Sequence, residues 1–126
     1  IKKAGMSKYV TMHEMNLKKS KKMPLKDMDL AIIDLGDPWE VLPQVRKMLK
    51  SSGSVAAICP TMNQLEKLSV AFVENEFTDI ECTEHILRRI EARDGKTRHS
   101  YQGIGHTTYL AIARKVHFNK KRIKKK

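Results

Sequence analysis

The chain has 126 residues, of which 25 are Lys or Arg and 14 are Asp or Glu, so it carries a formal charge of +11. One domain of this size removes roughly two thirds of its unfolded surface from water, which excludes a multi-domain machine but allows a real core. No apolar run approaches the roughly 20 residues that cross a bilayer, and no charged start leads into an apolar block, so neither a membrane protein nor a secreted one is expected. The excess positive charge suits polyanions, nucleic acid first among them.

In chain order, residues 9–13 have the β-branched and aromatic content of a short strand. Lys18, Lys19, Lys21, Lys22 and Lys26 follow as a first basic cluster. Residues 30–34 form an unbroken apolar run that ends in Asp34, and the continuous Leu, Ala and Ile predict a strand covered on both faces. Beyond it stand Leu35, Gly36, Asp37, Pro38 and Trp39. In open α/β sheets ligands bind in the crevice past such a strand's carboxyl end, which would place Asp34 and Asp37 beside a site. Asp37 is the better N-cap, with Pro38 as the first helical residue, whereas Asp34 comes too early to cap and reads either as ligand-facing or as a solvated loop carboxylate.

Val41, Leu42, Val45, Met48 and Leu49 fall on one face of a predicted helix, which Ser51-Ser52-Gly53 stops and turns. Residues 54–59 are the next buried strand, ended by Pro60. A second helix starts near Thr61 or Met62 and repeats Leu65, Leu68, Val70, Phe72 and Val73, with Asn75 near its end. Residues 77–84 read as a strand, residues 88–100 as a charged loop without periodicity, and residues 107–116 as a last strand. Arg88, Arg89, Arg93, Lys96 and Arg98 make a second basic cluster and residues 120–126 a third. Cys59 and Cys82 lack metal spacing and look like small core residues of a reducing compartment, the cytoplasm. No histidines converge, so no metal is expected.

Strands alternating with helices require parallel pairing through right-handed crossovers, while the last two strands, joined by a non-helical loop, can pair antiparallel. The predicted class is therefore α/β, with a sheet ending in an antiparallel strand pair.

Ile33-Asp34-Leu35-Gly36-Asp37-Pro38-Trp39, Leu49-Lys50-Ser51-Ser52-Gly53, Pro60-Thr61-Met62-Asn63-Gln64, Glu84-His85-Ile86-Leu87-Arg88-Arg89 and the segment from Gly105 and His106 to Lys115 occur in an order and spacing that resemble the tRNA adenine-N1 methyltransferases acting on the T-loop. The resemblance implies the C-terminal half of a Rossmann-like class I S-adenosylmethionine-dependent methyltransferase sheet over residues 1–118, followed by a basic tail at 119–126. It has no counterpart here for the family's first two strands, small N-terminal domain and glycine-rich cofactor loop, so S-adenosylmethionine binding by this chain alone is expected to be weak.

The resemblance makes Asp34 the catalytic carboxylate. Asn16, Asp34, Leu35 and Gln64 become cofactor residues, although Asn16 stands where an acid is expected. Trp39, Arg88, Arg89, Arg98 and His106 become tRNA contacts. Each has a plainer reading: Trp39 as a core or interface anchor, Gln64 as a helix-surface amide, the arginines as a salt-bridged loop near Glu84, Glu91 and Asp94, and His106 as structural. The partners implied are tRNA and further copies of the chain, a tetramer by resemblance. A non-catalytic tRNA-binding subunit, or a basic α/β nucleic-acid-binding module, remains open as an alternative.

Overall fold

Where an apolar run has a neighbour to take its backbone hydrogen bonds it becomes a strand, and four runs do so here. In the computed structural model, which describes residues 1–20, 23, 25–86, 88–100 and 108–116, the elements are β1 (Met28–Ile33), α1 (Leu42–Met48), β2 (Leu49–Cys59), α2 (Met62–Glu74), β3 (Phe77–Glu84), β4 (Ile90–Glu91), β5 (Arg98–His99) and β6 (Tyr109–Lys115). β1, β2, β6 and β3 lie side by side in that order. β1 and β2 are parallel, with Ile33 opposite Ala57, and β6 runs antiparallel to both its neighbours, with Tyr109 opposite Cys59 on one side and Glu84 on the other. The expected α/β class and the antiparallel ending are present.

The core sits between sheet and helices. Val41, Leu42, Val45, Met48 and Leu49 are all buried, and with Val55, Ala57, Cys59, Leu68, Phe72, Phe77, Ala111 and Ala113 they make one cluster. Phe72 and Phe77 meet edge to face, their centroids 5.6 Å apart.

Several expectations are corrected. Residues 9–13 are not a strand: a 3-10 turn occupies Ser7–Tyr9, and 10–16 have no regular structure, because no described segment offers them a ladder. β1 is covered on one face only; its outer edge pairs with no described strand, and Leu30 and Ile32 are 47% and 70% exposed. Ser51-Ser52-Gly53 does not separate helix from strand but lies inside β2 as an irregularity, where the pairing jumps from Met28–Leu49 to Leu30–Ser54 and Ser52 takes a φ of 63°. Gly53 is required there, since a Cβ would stand 2.9 Å from the Met28 carbonyl oxygen. Val70 and Val73 of α2 face outward, and Ala71 takes the buried position between Leu68 and Phe72. Cys82 is exposed on β3, while Cys59 is buried. Residues 88–100 are not a loop but a small hairpin of β4 and β5. The tail at 119–126 lies outside the described residues.

Candidate functional site

β1, β2 and β3 all run one way, and β6 runs back. Their register therefore brings four segments to one end of the sheet: residues 34–37 after β1, 60–64 after β2, 85–86 after β3, where the chain leaves for residues 88–100, and Thr108 before β6. This is the carboxyl end at which open α/β sheets hold ligands.

Asp34 sits there with its carboxylate exposed and without a hydrogen bond or ion pair to any described residue. It lines an apolar groove of about 530 Å³ with Leu35, His13 and the outer residues of β1. Leu35 also lines a second groove of about 740 Å³, whose other walls include Asn16, Glu14 and Met15. The structure thus gathers Asn16, Asp34 and Leu35 around two neighbouring grooves.

The segment carrying Asn16 is fixed by its own turn and by one lysine. The Asn16 side-chain oxygen accepts from the backbone N–H of Lys19, three residues on, at 3.3 Å and so caps the turn that follows it. Lys18 then reaches across the groove mouth to the Glu40 carboxylate at 2.6 Å and to Asp37 at 3.5 Å. The bond to Glu40 holds the Lys18 ammonium above its ordinary pKa. Asp37 does occupy the N-cap position before a 3-10 turn at Pro38–Val41, but its side chain makes no capping bond; it faces Lys18 instead. Lys18 had no signal in sequence beyond membership of a basic cluster, since its partners lie about twenty residues away.

Gln64 acts on the loop from the other side. Thr61 caps α2 by accepting from the Gln64 backbone N–H, and its hydroxyl donates to the Gln64 side-chain oxygen at 2.9 Å. That leaves the Gln64 amide free to donate to the Gly36 carbonyl at 3.0 Å. The helix start near Thr61 was legible in the sequence; the reach of Gln64 to Gly36 was not. Gln64 therefore holds the Asp34 loop and lines neither groove.

Trp39 lines neither groove. Its half-buried ring packs on the core, lies along α2 with Val70 and Glu74, and carries the Lys67 ammonium 4.2 Å from its centroid. Arg88, Arg89 and Arg98 are exposed in the hairpin segment, with Arg98 3.3 Å from the Glu91 carboxylate. His106 lies outside the described residues. Among the described residues no group of three or more His, Cys, Asp or Glu could hold a metal, and no helix is long and apolar enough to cross a membrane.

Known proteins resemble the chain over most of its length. The family model described as the tRNA methyltransferase complex GCD14 subunit matches residues 1–125. The tRNA (adenine(57)-N(1)/adenine(58)-N(1))-methyltransferase TrmI of Methanocaldococcus jannaschii is 37% identical over 94 residues, which are 74% of this chain and 33% of that protein. The crystal structure of the tRNA methyltransferase TrmI of Aquifex aeolicus is 30% identical, with a TM-score of 0.69, over 78% of this chain and 40% of that one. An S-adenosylmethionine-dependent O-methyltransferase from Thermotoga maritima superposes with a TM-score of 0.79 at 26% identity, covering 92% of this chain and 45% of that one. The chain thus spans a third to under a half of these relatives, and its fold is the Rossmann-like one of class I methyltransferases.

Proposed function

The chain belongs to the tRNA methyltransferase complex GCD14 subunit family, and from that premise we propose that it forms part of an enzyme that transfers a methyl group from S-adenosylmethionine to N1 of a T-loop adenine in tRNA. The observation that carries this reading is the convergence of Asp34, without a partner among the described residues, and the Asn16 and Leu35 groove at the end of the sheet from which the chain leaves β3 for the basic hairpin.

The residues present suit the nucleoside end of the cofactor. Asn16 offers an amide that both donates and accepts, and Leu35 an aliphatic surface for a ring face. Gln64 is a positioning residue, holding the Gly36 carbonyl and with it the loop that presents Asp34 and Leu35. When bound, the cofactor supplies an electrophilic methyl group on a sulfonium.

Asp34 answers the charge that the reaction creates. As adenine N1 takes the methyl group, positive charge spreads toward the exocyclic amine, and a carboxylate accepting a hydrogen bond from that amine stabilises it. Because Asp34 has no other described partner, its oxygens need not break a bond to do so. The T-loop adenine is held in tertiary pairing and must leave it to reach this end of the sheet, so phosphates around it need a grip. Arg88, Arg89 and Arg98 provide cations for that purpose, and Trp39 serves as an anchor between α2 and the Asp34 loop.

The test is methyl transfer from labelled S-adenosylmethionine to unmodified tRNA by a protein containing this chain, with the methylated nucleoside identified. Asp34→Ala should cut transfer on the order of 10²-fold while leaving tRNA affinity nearly intact, since phosphate contacts dominate binding. Label in a nucleoside other than N1-methyladenosine, or unchanged transfer by Asp34→Ala, refutes the assignment.

A further inference from the structure

The hairpin at 88–100 sorts its charges in a way that its composition does not reveal. Ile90 pairs with His99 and Glu91 with Arg98, and the Ser100 N–H donates to the Arg89 carbonyl at 2.9 Å. Paired residues project to the same face and neighbours along a strand to opposite faces. One face therefore carries Arg89, Glu91, Arg98 and Ser100, where Glu91 engages Arg98 at 3.3 Å. The other carries Ile90 and His99 without an acid, and Ile90 is 61% exposed.

The tip is a tight turn. The Lys96 N–H donates to the Arg93 carbonyl at 3.0 Å, the Thr97 hydroxyl donates to that same carbonyl at 3.3 Å, and Gly95 supplies a φ of 66°. Arg93 and Lys96 flank it, exposed and without an ion pair to any described residue. Five cations against two acids, Glu91 and Asp94, occupy these thirteen positions.

We propose that this hairpin grips unpaired RNA, Arg93 and Lys96 at its tip holding two phosphates while the Ile90 and His99 face seats an unstacked base. The proposal rests on the RNA substrate of the preceding reading and shifts the grip from Arg98, which Glu91 already holds, to the tip. Exposed cations attract phosphate, and an acid-free face of one aliphatic and one imidazole side chain suits a base that has left its stack. A two-stranded hairpin is marginal by itself, so its partner should also order it. Double-stranded RNA offers no such base, and a featureless polyanion would use the tip alone.

The experiment measures binding of the 126-residue chain to tRNA, a single-stranded RNA, a duplex RNA and heparin across a salt series. For the tRNA and the single strand, Arg93→Gln with Lys96→Gln should flatten the slope of log affinity against log salt by about 1.4, the value for two phosphate contacts to unpaired RNA. Ile90→Ser with His99→Ala should weaken single-strand binding several-fold and leave heparin binding unchanged. Exchange of the Ser100 amide should slow when tRNA is bound. An unchanged slope overturns the tip assignment, and equal losses on heparin, or tighter binding to duplex than to single strand, overturn the base-seating face. If the unaltered chain binds no RNA at any salt concentration, the RNA substrate itself fails, a result distinct from either.

Discussion

Arg46 is the residue whose removal should tell most about how this half-sheet holds together. From α1 its Nε donates to the Asn75 carbonyl at 2.8 Å, and its Nη2 donates to the Glu76 carboxylate at 2.6 Å and to the Val116 carbonyl at 3.1 Å. One fork thus ties the helix before β2 to the turn after α2 and to the end of β6. A hydrogen bond from a charged donor contributes about 1.5–3 kcal/mol when buried. The Arg46 side chain is 23% exposed, so the two main-chain bonds are worth about 1 kcal/mol each, and the ion pair to a half-exposed Glu76 adds less than about 1. Arg46→Ala should therefore cost about 2–3 kcal/mol, seen in urea unfolding as a lower midpoint with the slope unchanged, and in a thermal melt as a drop of about 8 °C. Arg46→Lys keeps the charge but not the fork and should recover less than half. A loss under about 0.5 kcal/mol for Arg46→Ala would refute the reasoning, because it would mean the three ends are held by packing alone.

Gly53→Ala should destabilise by about 1–3 kcal/mol in the same assay, since the new Cβ would meet the Met28 and Lys50 carbonyl oxygens at 2.9 and 3.0 Å; a loss within the error of measurement would show that the β1–β2 irregularity is soft. Thr61→Ala should cost about 1 kcal/mol by uncapping α2, and it should also speed amide exchange around Gly36 by freeing Gln64; stability loss without the exchange change would separate cap from clamp. The bond to Glu40 raises the Lys18 pKa above 10.5, so its stabilising share is full below that value and is lost as pH rises through the folded pKa. Lys115 is lowered, by desolvation first and Arg46 second, so its cost is full below its folded pKa and is lifted as pH climbs to the ordinary value. Titration of the side-chain resonances should find Lys115 releasing its proton before Lys18, and the reverse order would contradict both environments. Ile32→Lys should raise the concentration at which scattering first detects association, because β1 presents an edge that pairs with no described strand, beside exposed Leu30 and Ile32; a monodisperse monomer of the unaltered chain at high concentration would sink that idea.

Local chemistry made most of the elements legible. Thr61 before an apolar repeat, Asn75 at its end and the apolar run from Val55 to Cys59 each state a local preference that the fold honours. What failed was decided at long range. Residues 9–13 have strand composition, but composition cannot supply a ladder. Ser51-Ser52-Gly53 carries turn chemistry, yet the parallel neighbour draws it into β2 as an irregularity. Leu30 and Ile32 read as doubly covered because they are apolar, and apolarity reports what a face prefers rather than what lies against it. At the candidate site, Asp34 and Leu35 were visible as an abrupt end to an apolar run, whereas Lys18 and the Gly36 clamp there, and Arg46 at the opposite end of the sheet, depend on partners about twenty to seventy residues away and left no periodic trace.

The direction of the strands explains why residues so far apart in sequence could serve one reaction. Parallel β1, β2 and β3 each release their chain at the same end, and antiparallel β6 takes it up there. The first connection presents Asp34, the second fixes it through Gln64, and the third is the hairpin with Arg93 and Lys96. Had β6 been parallel, the chain would have had to return to the opposite end of the sheet before entering it. The antiparallel return lets the chain leave β3 and enter β6 at the end where Asp34 stands, so under the proposed reading a cation that grips phosphate and a carboxylate that answers charge on a base belong to the same end of one sheet, although β1 and β3 are its opposite edges.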